Sequence, residues 1–178
     1  MSKISTDRLQ SFGTILALVI SVIAMVTSIY EANIMKSQQK AMVWPYLKTT
    51  QSYSNEGFNI KVFNNGIGPA LVKSVEVSFK DQPVKDVDEL LDSLKPDRTF
   101  GYDILKTNDV NNYVFKPGEE QVLMGLSWTD ETRALLENLQ YVNIKIAYES
   151  VLGDYWVYDA RNETNKQEKF KARLEYDN

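Results

Sequence analysis

Neither cysteine nor histidine occurs anywhere in the 178 residues. Without cysteine there is no disulfide, no iron–sulfur or thiolate–zinc ligation and no lipidated N-terminal cysteine. Without histidine the commonest general base and the commonest metal ligand are gone. Ser-His-Asp, Cys-His and His-Glu metal chemistry are therefore excluded within this chain. A block of like charge is missing as well: 20 Lys+Arg stand against 24 Asp+Glu, a net charge of −4. That balance argues against a polybasic lipid contact and against nucleic acid as a partner. The chain reads as non-catalytic, with no cofactor and no metal. Lack of cysteine is compatible with either side of a membrane, so the compartment must come from flanking charge.

What is present is a long apolar run. From Gln10 to Tyr30 the chain carries no charged residue, and the apolar part is about as long as the ~20 residues a bilayer-spanning helix needs. The expected organisation is a cytoplasmic N-terminus over 1–9, a transmembrane helix over 10–30, a helical stalk over 31–43, a β-domain over 44–160 and a polar tail over 161–178. Lys3 and Arg8, opposed by Asp7, precede the run, while Glu31, Lys36 and Lys40 follow it. Counting basic groups near the span gives a slight excess on the N-terminal side, which places the rest of the chain outside the cytoplasm. The competing reading is a cleaved secretory signal ending near Val26-Thr27-Ser28. Against it stand a run longer than the ~7 to 15 residues of a signal core and helix-forming residues beyond it.

Gly13, Ala17, Ser21, Ala24 and Ser28 recur at intervals of three or four, so they share one helical face. Small residues let a second helix approach closely in lipid, which makes this face the expected contact with an integral membrane partner. The bland alternative is that such residues are simply common in membrane helices. Beyond Glu31 the sequence EANIMKSQQKAMV contains no glycine or proline, so the helix is expected to continue as a stalk until Pro45 stops it. Ile34, Met35, Gln38 and Met42 give the stalk a thin apolar stripe.

After Trp44-Pro45 the periodicity becomes alternating. Phe58, Ile60 and Val62 oppose Asn59 and Lys61; Val75, Val77 and Phe79 oppose Ser74, Glu76 and Ser78. These are half-buried strands. Between them Asn64, Asn65, Gly66, Gly68 and Pro69 are the expected turn-formers, the Asn and Gly residues tolerating positive φ. Lys116-Pro117-Gly118 turns into a strand over about 121–128. Val142, Ile144, Ile146 and Tyr148 alternate through another, and Gly153-Asp154 turns the chain into Tyr155–Tyr158. Two short helices are expected at Val87–Leu94, capped by Asp86, and at Asp130–Leu139, capped by Thr129 or Asp130. Without regular βαβ alternation the fold class is mainly β: an antiparallel immunoglobulin-like sandwich with two short helices, or else a small open barrel. The tail from Arg161 is expected to be extended or weakly helical and outside the core, with Phe170, Leu174 and Tyr176 able to dock it as a short amphipathic turn or strand.

Few residues suggest a site. Asp86, Asp88, Glu89 and Asp92 lack the glycine and terminal glutamate of a calcium loop and read as a solvated helix face. Gly66-Ile67-Gly68 lacks the third glycine of a dinucleotide fingerprint, and Lys73 and Ser74 face opposite sides of a strand. Trp156 and Tyr158 share one strand face and would form a platform for a sugar ring or a protein if Tyr155 and Val157 filled the core; otherwise both faces are covered. Trp44 and Tyr46 read first as packing and second as an interaction site.

One N-terminal span, a Gln-rich stalk, Trp44-Pro45-Tyr46 and the segment Asn64–Ala70 before an alternating strand together resemble a broad set of bacterial membrane-anchored proteins with a small β-rich domain and no assigned activity. The likeness covers roughly residues 10–80, and its most specific element is the Asn-Gly-x-Gly-Pro-Ala turn. It implies a bacterial envelope protein; joined to the orientation read from flanking charge, the expectation is an inner-membrane anchor surrounded by the bilayer, a periplasmic domain and a periplasmic protein as a further partner. The expected role is an accessory or structural subunit of an envelope complex; the alternative is a tethered ligand-binding module, for instance for glycans.

Overall fold

Alternation of apolar and polar side chains sets the strands of this protein, and two register slips decide which side chains reach the core. The computed structural model describes residues 6–97 and 105–168. The chain divides between Ala41 and Met42 into two units.

The first unit is α1 (Thr6–Met42), one helix of 37 residues. It does not break where the apolar run gives way to polar sequence, so the expected span and stalk form a single rod, about 55 Å long at ~1.5 Å per residue. Thr14, Ser21, Thr27 and Ser37 each donate a hydroxyl hydrogen bond to the carbonyl four residues earlier, at 2.8–3.0 Å. The hydroxyls are thereby satisfied inside the helix. Large apolar side chains from Leu9 through Met35 lie exposed along it.

The second unit contains the strands β1 (Leu47–Tyr53), β2 (Gly57–Asn64), β3 (Ala70–Phe79), β4 (Gln82–Val84), β5 (Leu105–Thr107), β6 (Val114–Phe115), β7 (Glu120–Ser127), β8 (Val142–Ser150), β9 (Tyr155–Asp159) and β10 (Thr164–Glu168). Its helices are α2 (Val87–Leu94), α3 (Asp130–Ala134) and α4 (Leu136–Leu139). One sheet runs β1-β2-β7-β5, the other β10-β9-β8-β3-β4 with β6 also paired to β3. Among the described residues every strand pair is antiparallel. Both sheets feed one core: Phe58, Ile60 and Val62 from the first meet Ile144, Ile146 and Tyr148 from the second, and Leu90, Leu91 and Leu94 of α2 join them.

The slips explain the pattern. On β3 the pairing to β8 shifts between Val72 and Ser74. The extra residue, Lys73, inverts the phase of alternation, so Ala70 and Val72 point inward before it and Val75, Val77 and Phe79 after it. On β7 the pairing to β2 passes from Met124 to Val122, leaving Leu123 unopposed. The β8–β9 hairpin covers both faces: Tyr158 enters the main core, while Tyr155 and Val157 bury against Ala147 on the reverse.

Three expectations change. The helix expected over Asp130–Leu139 is two short ones parted at Leu135, with Thr129 capping the first in a reciprocal box with Thr132. The stretch taken as a tail contains β10, which pairs with β9 along all five of its residues. Its contribution was hidden because Thr164–Glu168 reads TNKQE, with no apolar alternation; an edge strand can be held by ladder hydrogen bonds alone. Phe170, Leu174 and Tyr176 lie outside the described residues. Third, the connection from β2 to β3 crosses between sheets, and its glycines are required by crowding, as set out below.

Candidate functional site

Asn64 ends β2 and is wholly buried. Its amide saturates four backbone groups. Oδ1 accepts from Tyr46 N at 3.2 Å and Gly66 N at 3.0 Å, and Nδ2 donates to Gly68 O at 2.8 Å and Phe115 O at 3.2 Å. Around it Asn65 N donates to Tyr46 O, while Ile67 N and Gly68 N donate to Trp44 O. The segment Trp44-Pro45-Tyr46 is thus laced onto the β2–β3 connection. A Cβ on Gly66 would strike Tyr46 N, and one on Gly68 would strike Val43 O. Among the described residues positive φ falls at Gly118, Gly153, Lys80, Asp81, Asn112 and Glu163, so Asn64, Asn65, Gly66 and Gly68 are turn-formers through close approach and side-chain bonding instead.

The side of the domain bounded by β1 and β10 is sealed by hydrogen bonds. Tyr148 Oη donates to Asn165 Oδ1, Asn165 Nδ2 donates to Leu47 O at 2.8 Å, and Thr49 Oγ1 and Tyr158 Oη lie 3.0 Å apart. Burial pushes the Tyr148 hydroxyl above the usual tyrosine range, so it stays protonated and remains a donor.

The opposite side is open. There a cleft of about 290 Å³ lies between the sheets, beside β4 and the described part of β5. Its floor includes Ile60, Met124 and Ile144, all buried core residues, with Val75, Val77 and Leu123 along the walls. Exposed polar side chains ring the mouth: Lys85, Asp86, Thr107, Asn108, Asp109 and Asn111. The ring is ordered by its own bonds. Asp86 Oδ1 accepts from Glu89 N at 2.9 Å as the cap of α2. Asp109 Oδ1 accepts from Asn111 N and Nδ2 at 2.8 Å each, Asn111 Oδ1 accepts from Val75 N at 3.0 Å, and Asn108 Nδ2 donates to Val122 O at 2.8 Å.

Sequence reasoning located the β3 valines but not the cleft they line. The mouth residues come from two separate stretches, Lys85–Asp86 and Thr107–Asn111, that carry no apolar period. The residues singled out beforehand lie elsewhere. Gly13, Ala17, Ser21, Ala24 and Ser28 share a face of α1, where Ser21 bonds its own helix. Trp44 is 44% exposed, with its ring edge-on to Tyr46 at 5.5 Å and tilted to Trp156 at 6.2 Å. Tyr158 is only 2% exposed, and Trp156 is half-buried against the main core with its Nε1 shielded and unpartnered. Both faces of β9 are covered, so Trp156 and Tyr158 form no open platform. The acidic residues near α2 serve the helix: Asp86 caps it and Glu89 Oε2 accepts from Lys85 N at 2.7 Å.

Two carboxyls are tuned. The Tyr113 hydroxyl, 2.6 Å from Glu119 Oε1, and the Lys116 N–H hold the Glu119 carboxyl below its ordinary range, and that same bond raises Tyr113. Burial drives Asp159 upward, but hydrogen bonds from Asn143, Asn162 and Arg161 N outweigh it, so its carboxyl ends below the ordinary range. Both arrangements sit in turns and act as braces.

No curated protein gives a significant match to this chain. A family described as a domain of unknown function, DUF8453, matches it over residues 10–177, taking in the apolar helix and the β-domain together. With nearly its whole length matched, the chain belongs to the DUF8453 family.

Proposed function

We propose that this protein is a single-pass, non-catalytic accessory or structural subunit of a bacterial envelope complex, anchored in the inner membrane with its β-domain in the periplasm. The observation that carries the reading is α1: one helix long and apolar enough to cross a bilayer, whose most apolar stretch is buried by nothing in the described structure. An exposed apolar surface of that length is unstable in water and stable in hydrocarbon. Its small-residue face is the expected contact for a partner helix, and packing there would rest on close backbone approach, since Ser21 already bonds within α1. The domain, two antiparallel sheets around a shared core, is read as an immunoglobulin-like sandwich. Support for a non-catalytic role comes from the absence of histidine and cysteine and from the use of Asn64 and Thr132 in structural bonds.

The test is co-purification. Tagged full-length protein extracted in mild detergent should carry a membrane protein with it in fixed ratio. Gly13→Leu with Ala17→Leu should abolish that ratio while the variant still sediments with membranes. Recovery of wild-type protein alone, or an unchanged ratio in the double variant, overturns the reading. Orientation is tested by introducing a single cysteine at Tyr53, which should react with a membrane-impermeant maleimide in whole spheroplasts.

The alternative, a tethered ligand-binding module, is favoured by the cleft between the sheets and not by the aromatic pair first considered. Glycan stacking needs an open ring, and Tyr158 is buried.

A further inference from the structure

We propose that the cleft binds an aliphatic primary amine, its hydrocarbon chain lying over Ile60, Met124 and Ile144 and its ammonium held at the mouth by Asp86 and Asp109. Size comes first. At about 290 Å³ the space is about twice the ~150 Å³ apolar cavity that takes up benzene. Wall chemistry comes second. Among the described residues the side chains around the interior are aliphatic or thioether, with no aromatic ring for a sugar or base to stack on. A saturated chain suits such walls, which offer water few polar partners.

Charge at the mouth selects the head. Asp86 and Asp109 line it, and the Glu89 carboxylate lies beside them, its Oε2 accepting from Lys85 N at 2.7 Å. Against these three carboxylates stands one ammonium at the mouth, that of Lys85, which makes no ion pair among the described residues. The N-terminus of α2 adds a partial positive charge of only about half a unit. The mouth is therefore net negative and favours a cation. Hydrogen bonding narrows the class further. Asp86 commits Oδ1 to Glu89 N and Asp109 commits Oδ1 to Asn111 N and Nδ2, while Oδ2 of each carries no hydrogen bond among the described residues. A primary ammonium brings N–H donors to those oxygens, whereas a quaternary one has none and relies on aromatic faces that these walls lack. An added peptide strand is a poor occupant, because the edge of β3 beside the cleft is taken: Val72 N donates to Tyr113 O at 2.9 Å and Val75 N to Asn111 Oδ1 at 3.0 Å. This inference rests on the cleft alone and stands apart from the identity of any partner complex.

The test uses full-length protein in nanodiscs of zwitterionic lipid, so that bilayer charge does not sort the probes, with labelled Ile, Leu, Val and Met methyl groups. Octylamine, octanol and octanoate are titrated separately at pH 7 and matched free concentration. Octylamine should shift the Ile60, Met124 and Ile144 methyls saturably and leave Val157, on the reverse face, unmoved. Exposed ion pairs of ordinary strength make octylamine bind about two- to fivefold more tightly than octanol, with octanoate weaker than both. Asp86→Asn with Asp109→Asn keeps the Oδ1 acceptors and removes both charges, so octylamine should fall to the affinity of octanol while octanol binding persists. Val77→Phe fills the cleft and should abolish the shifts; Val84→Trp, at the partly exposed margin, repeats the test without touching the core. Unmoved cleft methyls, octanoate binding as tightly as octylamine, an amine preference that survives the double asparagine variant, or binding that survives both filling variants would overturn the proposal.

Discussion

Asn64 shows how one side chain can tie together three stretches of backbone, at Tyr46, at Gly66 and Gly68, and at Phe115. Its amide meets two donors and two acceptors of the backbone, the acceptors in buried bonds and the donors in part-buried ones. Asn64→Ala would strand those groups, and each unsatisfied buried partner costs about 1–3 kcal/mol before water enters. With partial hydration the expected loss is ~2–4 kcal/mol, read as a fall in the denaturant midpoint of the full-length protein in detergent. A loss under about 1 kcal/mol would show that the lacing is dispensable. Lys80 and Asp81 pose the opposite case. Both central residues of the β3–β4 turn have positive φ, 49° and 65°, where glycine or asparagine is usual. Lys80 Nζ lies over the rings of Phe79 and Tyr141 at 5.1 and 5.3 Å, and Asp81 pairs with Arg161. Because an exposed ion pair contributes less than the strain it accompanies, Asp81→Gly should stabilise by ~0.5 kcal/mol and Asp81→Val should destabilise. Thermal unfolding of the two variants side by side decides it.

At the scale of elements, short strands shape the molecule as much as long ones do. β4, only three residues long, borders the cleft, while β10, although polar, closes the other side through Asn165. Turns are braced by carboxylates, and this gives a pH dependence with a definite sign. Glu119 and Asp159 both have folded-state values below their ordinary ones. Their contribution is therefore complete above the unfolded carboxyl range, near pH ~4, and is lost as pH falls through the depressed folded values. Midpoints should decline on acidification below pH ~4, and Glu119→Gln combined with Asp159→Asn should flatten that decline. A double variant that keeps the wild-type slope would assign the acid sensitivity to other groups.

For the whole molecule, the decisive contrast is between a helix with nothing buried around it and a domain with a closed core. Removing residues 9–30 should move the protein from the membrane pellet to the soluble fraction while its near-ultraviolet circular dichroism persists, because the second unit draws its core from its own strands and α2. Ile15→Arg with Val22→Arg should likewise weaken membrane retention, since each arginine at the centre of a span opposes insertion by about 2.5–3.5 kcal/mol. Continued retention of the deleted form would show that the domain itself holds lipid or a resident partner.

The sequence alone determined the elements whose signal is local. The apolar run of α1, the alternation in β2, β3 and β8, the Asp86 cap and the Gly153 turn depend on neighbours a few residues away, and each is present where periodicity and capping place it. Tertiary structure decided the rest. The need for glycine at 66 and 68 comes from backbone that is distant in sequence, the place of β10 comes from a ladder its own residues do not advertise, and the burial of Tyr158, with the partial burial of Trp156, comes from packing on the shared core. The cleft has the same origin, because an opening between two sheets exists only once both have formed. Steric contact and hydrogen bonding across sequence distance leave no periodic trace in the chain, and so local pattern cannot carry them.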